Sequence, residues 1–190
     1  MNTDVPTKSF KSAKLWEKWL GVNHAKSDGI WLQIFKVGSG HATVTRSEAL
    51  DVALCYGWID GQGKSYDSGS WLQKYTPRRP RSIWSKRNQE HVARLSAEGR
   101  MHVSGQKAIE AAQQDGRWAQ AYDSPANMRV PDDFLKALAK NKKAEIFFHT
   151  LNKANTYAIA WRLQTAKNPE TREKRMKVLL EKMAKGEKLH

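Results

Sequence analysis

Residues 55–88 read CYGWIDGQGKSYDSGSWLQKYTPRRPRSIWSKRN, from Cys55 to Asn88, and they decide the fold class. Two apolar–aromatic runs, Trp58–Tyr66 and Ser70–Tyr75, flank Asp67-Ser68-Gly69. That spacing predicts two strands of a hairpin around a tight turn. Pro77 and Pro80 end the second strand and hold Arg78-Arg79-Pro80-Arg81 in an extended, non-helical form. Ser85 then caps a helix running to Gly99 with Val92 and Leu95 inward. The stretch sets Trp58, Trp71 and Trp84 close in sequence to Arg78, Arg79, Arg81 and Lys86. Planar guanidinium groups beside aromatic faces hold flat or anionic ligands by stacking and bidentate hydrogen bonds.

Outward from this stretch the pattern stays mixed. Upstream, Ser12 caps a helix with the stripe Leu15, Trp16, Trp19 and Leu20, ending near Gly21. Ile30–Val37, bounded by Asp28-Gly29 and Gly38-Ser39-Gly40, predicts a buried strand. Thr45 and Glu48 form a capping box that opens a helix through Tyr56, and Gly57 stops it. Downstream, a helix covers roughly Gly105 to Asp115, and Tyr122–Val130, with Pro125 and Asn127, predicts a linker. Three or four helices follow from Pro131. The last has Asn168 as cap, Pro169 at its first position, Gly186 past its end and an apolar face of Met176, Leu179, Leu180 and Met183. Glu170–Lys174, Glu173–Lys177 and Glu181–Lys185 have the favoured i,i+4 order.

These elements predict an α+β fold: a small antiparallel sheet of about three strands packed by helices, followed by a basic C-terminal helical segment. The expected division is residues 1–128, carrying the Trp/Arg-rich hairpin and corner, and residues 129–190, helical and packed on the first. With 190 residues, 39% of them hydrophobic and eight of them Trp, the chain can bury a sizeable core. No apolar run is long enough to span a bilayer. The opening MNTDVPTKSFKSAK lacks the apolar centre of a secretory signal, and a single cysteine excludes an internal disulfide. Both predict a cytoplasmic protein.

The formal net charge is +14. A field of that sign attracts nucleic acid, anionic surfaces or acidic partners. Lys74, Arg78, Arg79, Arg81, Lys86, Arg87 and Arg94 are set against Glu90 alone, whereas the basic residues of the last sixty positions are interleaved with acids. A solvated basic surface accounts for such a balance as readily as a polyanion partner does.

Several local patterns suggest chemistry that their context opposes. Gly57–Ser65 resembles a phosphate loop one residue too long, but a helix precedes it and a strand pattern follows, the reverse of what the loop needs. Cys55 sits near a helix C-terminus, where the dipole opposes a thiolate. His24, His41, His91, His102, His149 and His190 show no metal-ligand spacing. Asp60 is open to three roles: turn former, ion-pair partner of an arginine across the hairpin, or, if buried and unpaired, an acid of raised pKa. Arg79 and Arg81 are expected to share a face with Trp84 at the mouth of the following helix, where Ser85 and Asn88 open backbone donors to an anion. A strand-to-helix corner bonded by cation–π and Arg–Asp contacts, with Asp60 among them, is the structural alternative.

The blocks ALCYGWIDG (Ala53–Gly61), YTPRRPRSIWSKRN (Tyr75–Asn88), EGRM (Glu98–Met101) and AKNPETREKRMKVLLEKMAKGEK (Ala166–Lys188) resemble, in order, the bacterial YdeI/OmpD-associated family, also described as OmdA or bacteriocin-protection proteins. The resemblance implies a link to resistance against cationic antimicrobial peptides and bacteriocins, and association with an outer-membrane porin. It carries over no catalytic residues. A porin-facing role requires export, which this N-terminus does not predict.

The expected function is therefore a non-enzymatic binding protein tied to antimicrobial-peptide resistance. Its expected anion-accepting pocket is built from Trp58, Asp60, Arg78, Arg79, Arg81, Trp84, Ser85 and Asn88, with no catalytic residue, metal or cofactor. The expected partner is an anionic small molecule or envelope component, with a porin implied by the resemblance alone. Two alternatives stand beside it: a nucleic-acid binder, and an uncharacterised enzyme using Asp60 or Cys55 beside Arg79 and Arg81.

Overall fold

Two compact units, Met1–Ala119 and Gln120–His190, divide the chain in a computed structural model that describes residues 5–124 and 127–189. Pro125, in the expected linker, and His190 lie outside the described residues.

The N-terminal unit runs β1 (Thr7–Ser9), α1 (Ala13–Asn23), β2 (Ile30–Phe35), α2 (Arg46–Cys55), β3 (Trp58–Ser65), β4 (Ser70–Pro77), α3 (Lys86–Ala97) and α4 (Val103–Gln114). The fold is α+β as expected, but the sheet has four strands in the order β1-β2-β4-β3. β3 and β4 form the predicted hairpin, closed by Asp67, whose carboxylate accepts from the Gly69 N–H (2.8 Å) and the Ser70 hydroxyl (2.9 Å). β2 pairs antiparallel with β4 from Ile30↔Tyr75 to Phe35↔Ser70. The unexpected strand is β1, which runs parallel to β2 at the sheet edge with α1 as the crossover. Its three residues, Thr-Lys-Ser, are all exposed and carry no hydrophobic alternation. Only backbone pairing to β2 makes them a strand.

The core follows the alternation of β2. Ile30, Leu32 and Ile34 are buried with Trp16 and Leu20 of α1, Val52 and Ala53 of α2, Trp58 and Tyr75. Leu15, placed on the inward stripe by its spacing, is instead 46% exposed, and α1 continues past Gly21 to Asn23. The capping box of α2 forms as predicted: Thr45 Oγ1 accepts from the Glu48 N–H (3.3 Å), and Glu48 Oε2 accepts from the Thr45 N–H (2.9 Å). The Thr45 N–H, and after it the Thr45 hydroxyl donating to Glu48 Oε2 (2.7 Å), hold the Glu48 carboxyl below its ordinary range. All residues of α2 from Ala49 to Cys55 are buried, so this helix is the hub of the unit. α4 crosses its C-terminal end so closely that a Cβ at Gly105 would run into the Cys55 carbonyl, with the carbonyl carbon 2.8 Å away. α3 is tied to α2 through the buried Asp51, which accepts from His91 Nδ1 (2.6 Å) and Arg94 Nη2 (2.5 Å).

The C-terminal unit carries α5 (Asp132–Leu138), α6 (Lys142–His149), α7 (Lys153–Gln164) and α8 (Pro169–Lys185). Its core is Phe134, Leu138, Ala144, Ile159, Leu163, Leu179 and Met183. α8 has the predicted ends: Asn168 Oδ1 accepts from the Thr171 N–H (2.8 Å), and Gly186 sits in the left-handed region at φ 72°. Its ion pairs reach off the helix, with Arg172 bidentate on Asp133 (2.5 and 2.8 Å) and Lys182 on Glu187 (3.2 Å).

Candidate anion-binding corner

β4 ends at Pro77, and the next eight residues turn the chain into α3. The Arg78 N–H donates to the Gly57 carbonyl (2.9 Å), prolonging the hairpin ladder by one bond. The segment then departs from the extended form expected of it. The Ser82 N–H donates to the Arg79 carbonyl (2.9 Å) and Ser82 Oγ accepts from the Arg79 N–H (2.9 Å), closing a turn with Pro80 inside it. Proline fixes the φ that the second residue of such a turn needs. Arg117, clamped on Asp115, donates to the Ser82 carbonyl (2.8 Å) and buttresses the turn.

The turn changes which arginine meets which ring. Side chains do not alternate through it, and the guanidinium over Trp84 is that of Arg78, 3.4 Å from the ring centre, with Nη1 donating to the Ile83 carbonyl (3.3 Å). Trp84 is 1% exposed and packs on Trp118 at 4.9 Å. Ser85 Oγ accepts from the Asn88 N–H (3.1 Å), and both residues are buried. Arg78, Trp84, Ser85 and Asn88 are thus brought together, largely in the interior. Arg79, Arg81, Lys86 and Arg87 are exposed around the start of α3, whose first turn holds no acidic residue.

Trp58 and Asp60 lie apart from this arrangement. Trp58 is a core residue, 1% exposed, against Trp16 and Trp19, with its indole N–H donating to the His24 carbonyl (3.1 Å). Asp60 pairs with Arg46 of α2 (3.6 Å), which also lies 6.0 Å from the Trp71 ring centre. The register explains this partner. Asp60 is opposite Tyr75 on the helix-covered face of the sheet, so it meets an arginine from α2 rather than one from residues 78–81. Nothing in the local sequence points from Asp60 to Arg46.

The remaining candidates are set by burial. Cys55 is 1% exposed, and desolvation pushes its thiol up to about 11, so it stays protonated at neutral pH. Gly57–Ser65 lies across β3, with a bulge between Asp60 and Gly63, and is not a phosphate loop. Among the described residues no three His, Cys, Asp or Glu side chains converge for a metal ion. Two arrangements were not legible in the sequence. Trp31, on the sheet face opposite the helices, has Lys64 Nζ 4.3 Å and Lys74 Nζ 5.6 Å from its ring centre. Tyr75 is fully buried with a hydroxyl that lacks a hydrogen-bond partner among the described residues, and desolvation raises its pKa.

Residues 8–108, more than half of the chain, match a family described as a domain of unknown function (DUF8412), and residues 127–186 match the OmdA family, described as "Bacteriocin-protection, YdeI or OmpD-Associated". The chain belongs to the DUF8412 family and carries an OmdA domain. No curated protein and no solved structure matches it. The corner at 78–88 lies inside the DUF8412 span, and α5 to α8 lie inside the OmdA domain.

Proposed function

We propose that this protein is a non-enzymatic binding protein that engages an anionic partner through the cations around the start of α3. The observation that carries this reading is the division of labour at the corner. Arg78 is committed to Trp84, while Arg79, Arg81 and Arg87 point their charge to solvent beside a helix N-terminus without a neighbouring carboxylate in its first turn. The bacteriocin protection named in the OmdA description suggests the biological setting. A chain of +14 repels cationic peptides at long range, which supports action through an anionic envelope component, metabolite or porin-type partner rather than by holding the peptide. A cytoplasmic place of action belongs to the same reading, supported by one buried, free cysteine. Cell fractionation with a tagged chain tests it, and recovery in the periplasm would exclude it.

The decisive test is a thermal-shift screen of anionic metabolites, nucleotides, glycans and short DNA on the wild type and on Arg79→Ala/Arg81→Ala. A ligand at a hundred times its dissociation constant adds roughly 2.7 kcal/mol of stability. A shift present in the wild type and lost in the double variant is expected. A tight, salt-insensitive complex with a cationic peptide, or the absence of any anion whose shift is lost in the variant, would overturn the proposal.

One observation favours nucleic acid as the polyanion. The indole of Trp31, with Lys64 and Lys74 beside its ring, combines an aromatic surface with phosphate-binding charge. Retention on single-stranded DNA that falls steeply with salt and is lost in Trp31→Ala is the expected signature, and salt-independent retention contradicts it.

A further inference from the structure

The OmdA domain holds a groove of about 580 Å³ between α7, α8 and the C-terminal tail, a volume within the roughly 300–1,000 Å³ of small-molecule sites. Its walls are built by helical spacing. Lys174, Arg175, Val178 and Lys182 recur on one face of α8, while consecutive Trp161 and Arg162 come from the end of α7. The tail is drawn in by a buried side chain: Asn155 Oδ1 accepts from the Leu189 N–H (2.9 Å), and Leu189 lines the groove. No acidic residue is among the described residues that line it.

The cations of the groove are differently committed. Lys182 is paired with Glu187, and Arg175 Nη1 donates to the Arg162 carbonyl (2.7 Å) at the end of α7. Lys174 is exposed, and no described carboxylate pairs with it, with Arg162 or with Arg175. Arg162 Nη1 is buried and has no hydrogen-bond partner among the described residues. Buried guanidinium donors are normally satisfied, and an anion's oxygens satisfy them with charge-assisted bonds. The other half of the lining is apolar. Val178 is 52% exposed, and the half-buried indole of Trp161 is supported by Tyr122 in a T-shaped contact at 6.3 Å.

We propose that this groove binds a phosphorylated ligand with a flat ring, a mononucleotide in the simplest case. The phosphate sits among Arg162, Lys174 and Arg175, and the ring packs on Trp161. The chemistry follows the lining: guanidinium forks match phosphate oxygens, and an indole offers a stacking face at little entropic cost. The site is separate from the corner at 78–88 and does not depend on it.

The test is titration calorimetry on the full chain with AMP, adenosine and inorganic phosphate. It is paired with the indole N–H resonance of Trp161, assigned through Trp161→Phe. AMP is expected to bind and to shift that resonance, while adenosine and phosphate each bind at least about tenfold more weakly. Arg162→Gln should weaken AMP about tenfold or more, the loss expected when a hydrogen bond to a charged group is removed. Lys174→Ala, at an exposed position where folding is not at stake, should weaken it about threefold. Arg79→Ala/Arg81→Ala should leave AMP binding unchanged. Equal affinity for AMP and adenosine, undiminished binding in Lys174→Ala, or no AMP binding at millimolar concentration each overturns the proposal.

Discussion

The corner of the DUF8412 domain and the groove of the OmdA domain are built from the same residue types, arginine beside tryptophan, and use them in opposite ways. At the corner, Trp84 is buried, Arg78 lies flat on it and donates to a backbone carbonyl, and the pair closes the interior. In the groove, Trp161 is half-buried and a neighbouring Arg162 nitrogen is buried without an acceptor among the described residues. The lesson is that an Arg–Trp pairing is neither structural nor functional by composition. Burial of the ring, and whether a groove opens beside it, decide which.

Substituting the two tryptophans breaks the comparison most sharply. Trp84→Ala should cost about 3–5 kcal/mol in urea denaturation, because it opens a cavity against Trp118 and strips Arg78 of its stack. Trp161→Ala should cost only about 1 kcal/mol, since the side chain is partly in water already. Equal losses would mean that the groove tryptophan is as structural as the corner one.

Gly105→Ala should follow in size, at about 1–3 kcal/mol, because the added Cβ has to push α4 away from the Cys55 carbonyl. Full stability in that variant would show that α4 can slide, and that the close approach does not restrain the unit.

Cys55 gives a test by pH. Its thiol is raised from 9.0 to about 11 by burial, so between these values the unfolded chain releases a proton that the folded chain keeps. Its contribution to stability is therefore complete below pH 9 and lost as pH rises through about 11. The native thiol should resist alkylation at pH 8 and react fully in denaturant, and Cys55→Ala should flatten the alkaline fall in stability. Rapid alkylation of the native chain at pH 8 would restore the nucleophile hypothesis.

The smallest effects sharpen the corner itself. Arg78→Lys should cost about 1 kcal/mol through loss of the planar stack on Trp84, whereas Arg79→Ala/Arg81→Ala should change stability by less than about 0.5 kcal/mol. If the double variant is the less stable of the two, the exposed arginines are structural and the anion site has to be sought elsewhere.

Signals confined to a few neighbouring residues survived into the structure. The Thr45–Glu48 box, the Ser85 and Asn168 caps, the Asp67–Gly69 turn and Gly186 all stand where their chemistry placed them. Caps and turns satisfy backbone groups within four residues, so the sequence alone states both partners. β1 was not legible, because Thr7–Ser9 is a strand only through its pairing with β2. The partner of Asp60 was hidden for the same reason, since Arg46 reaches it from another element.

The groove shows the limit of reading charge along a line. Bases and acids alternate through residues 162–187, which reads as a solvated surface. The helical period of α8 then brings Lys174, Arg175 and Lys182 to one face, and α7 adds Arg162 beside them. The sequence by itself determined the α+β class, the hairpin, the helix ends and the basic field, because these follow from short-range backbone chemistry and composition. Only the tertiary structure decided which arginine stacks on Trp84, which carboxylate meets Arg46, and which cations line a groove. Those outcomes depend on burial and on side chains delivered from distant elements, which no local spacing records.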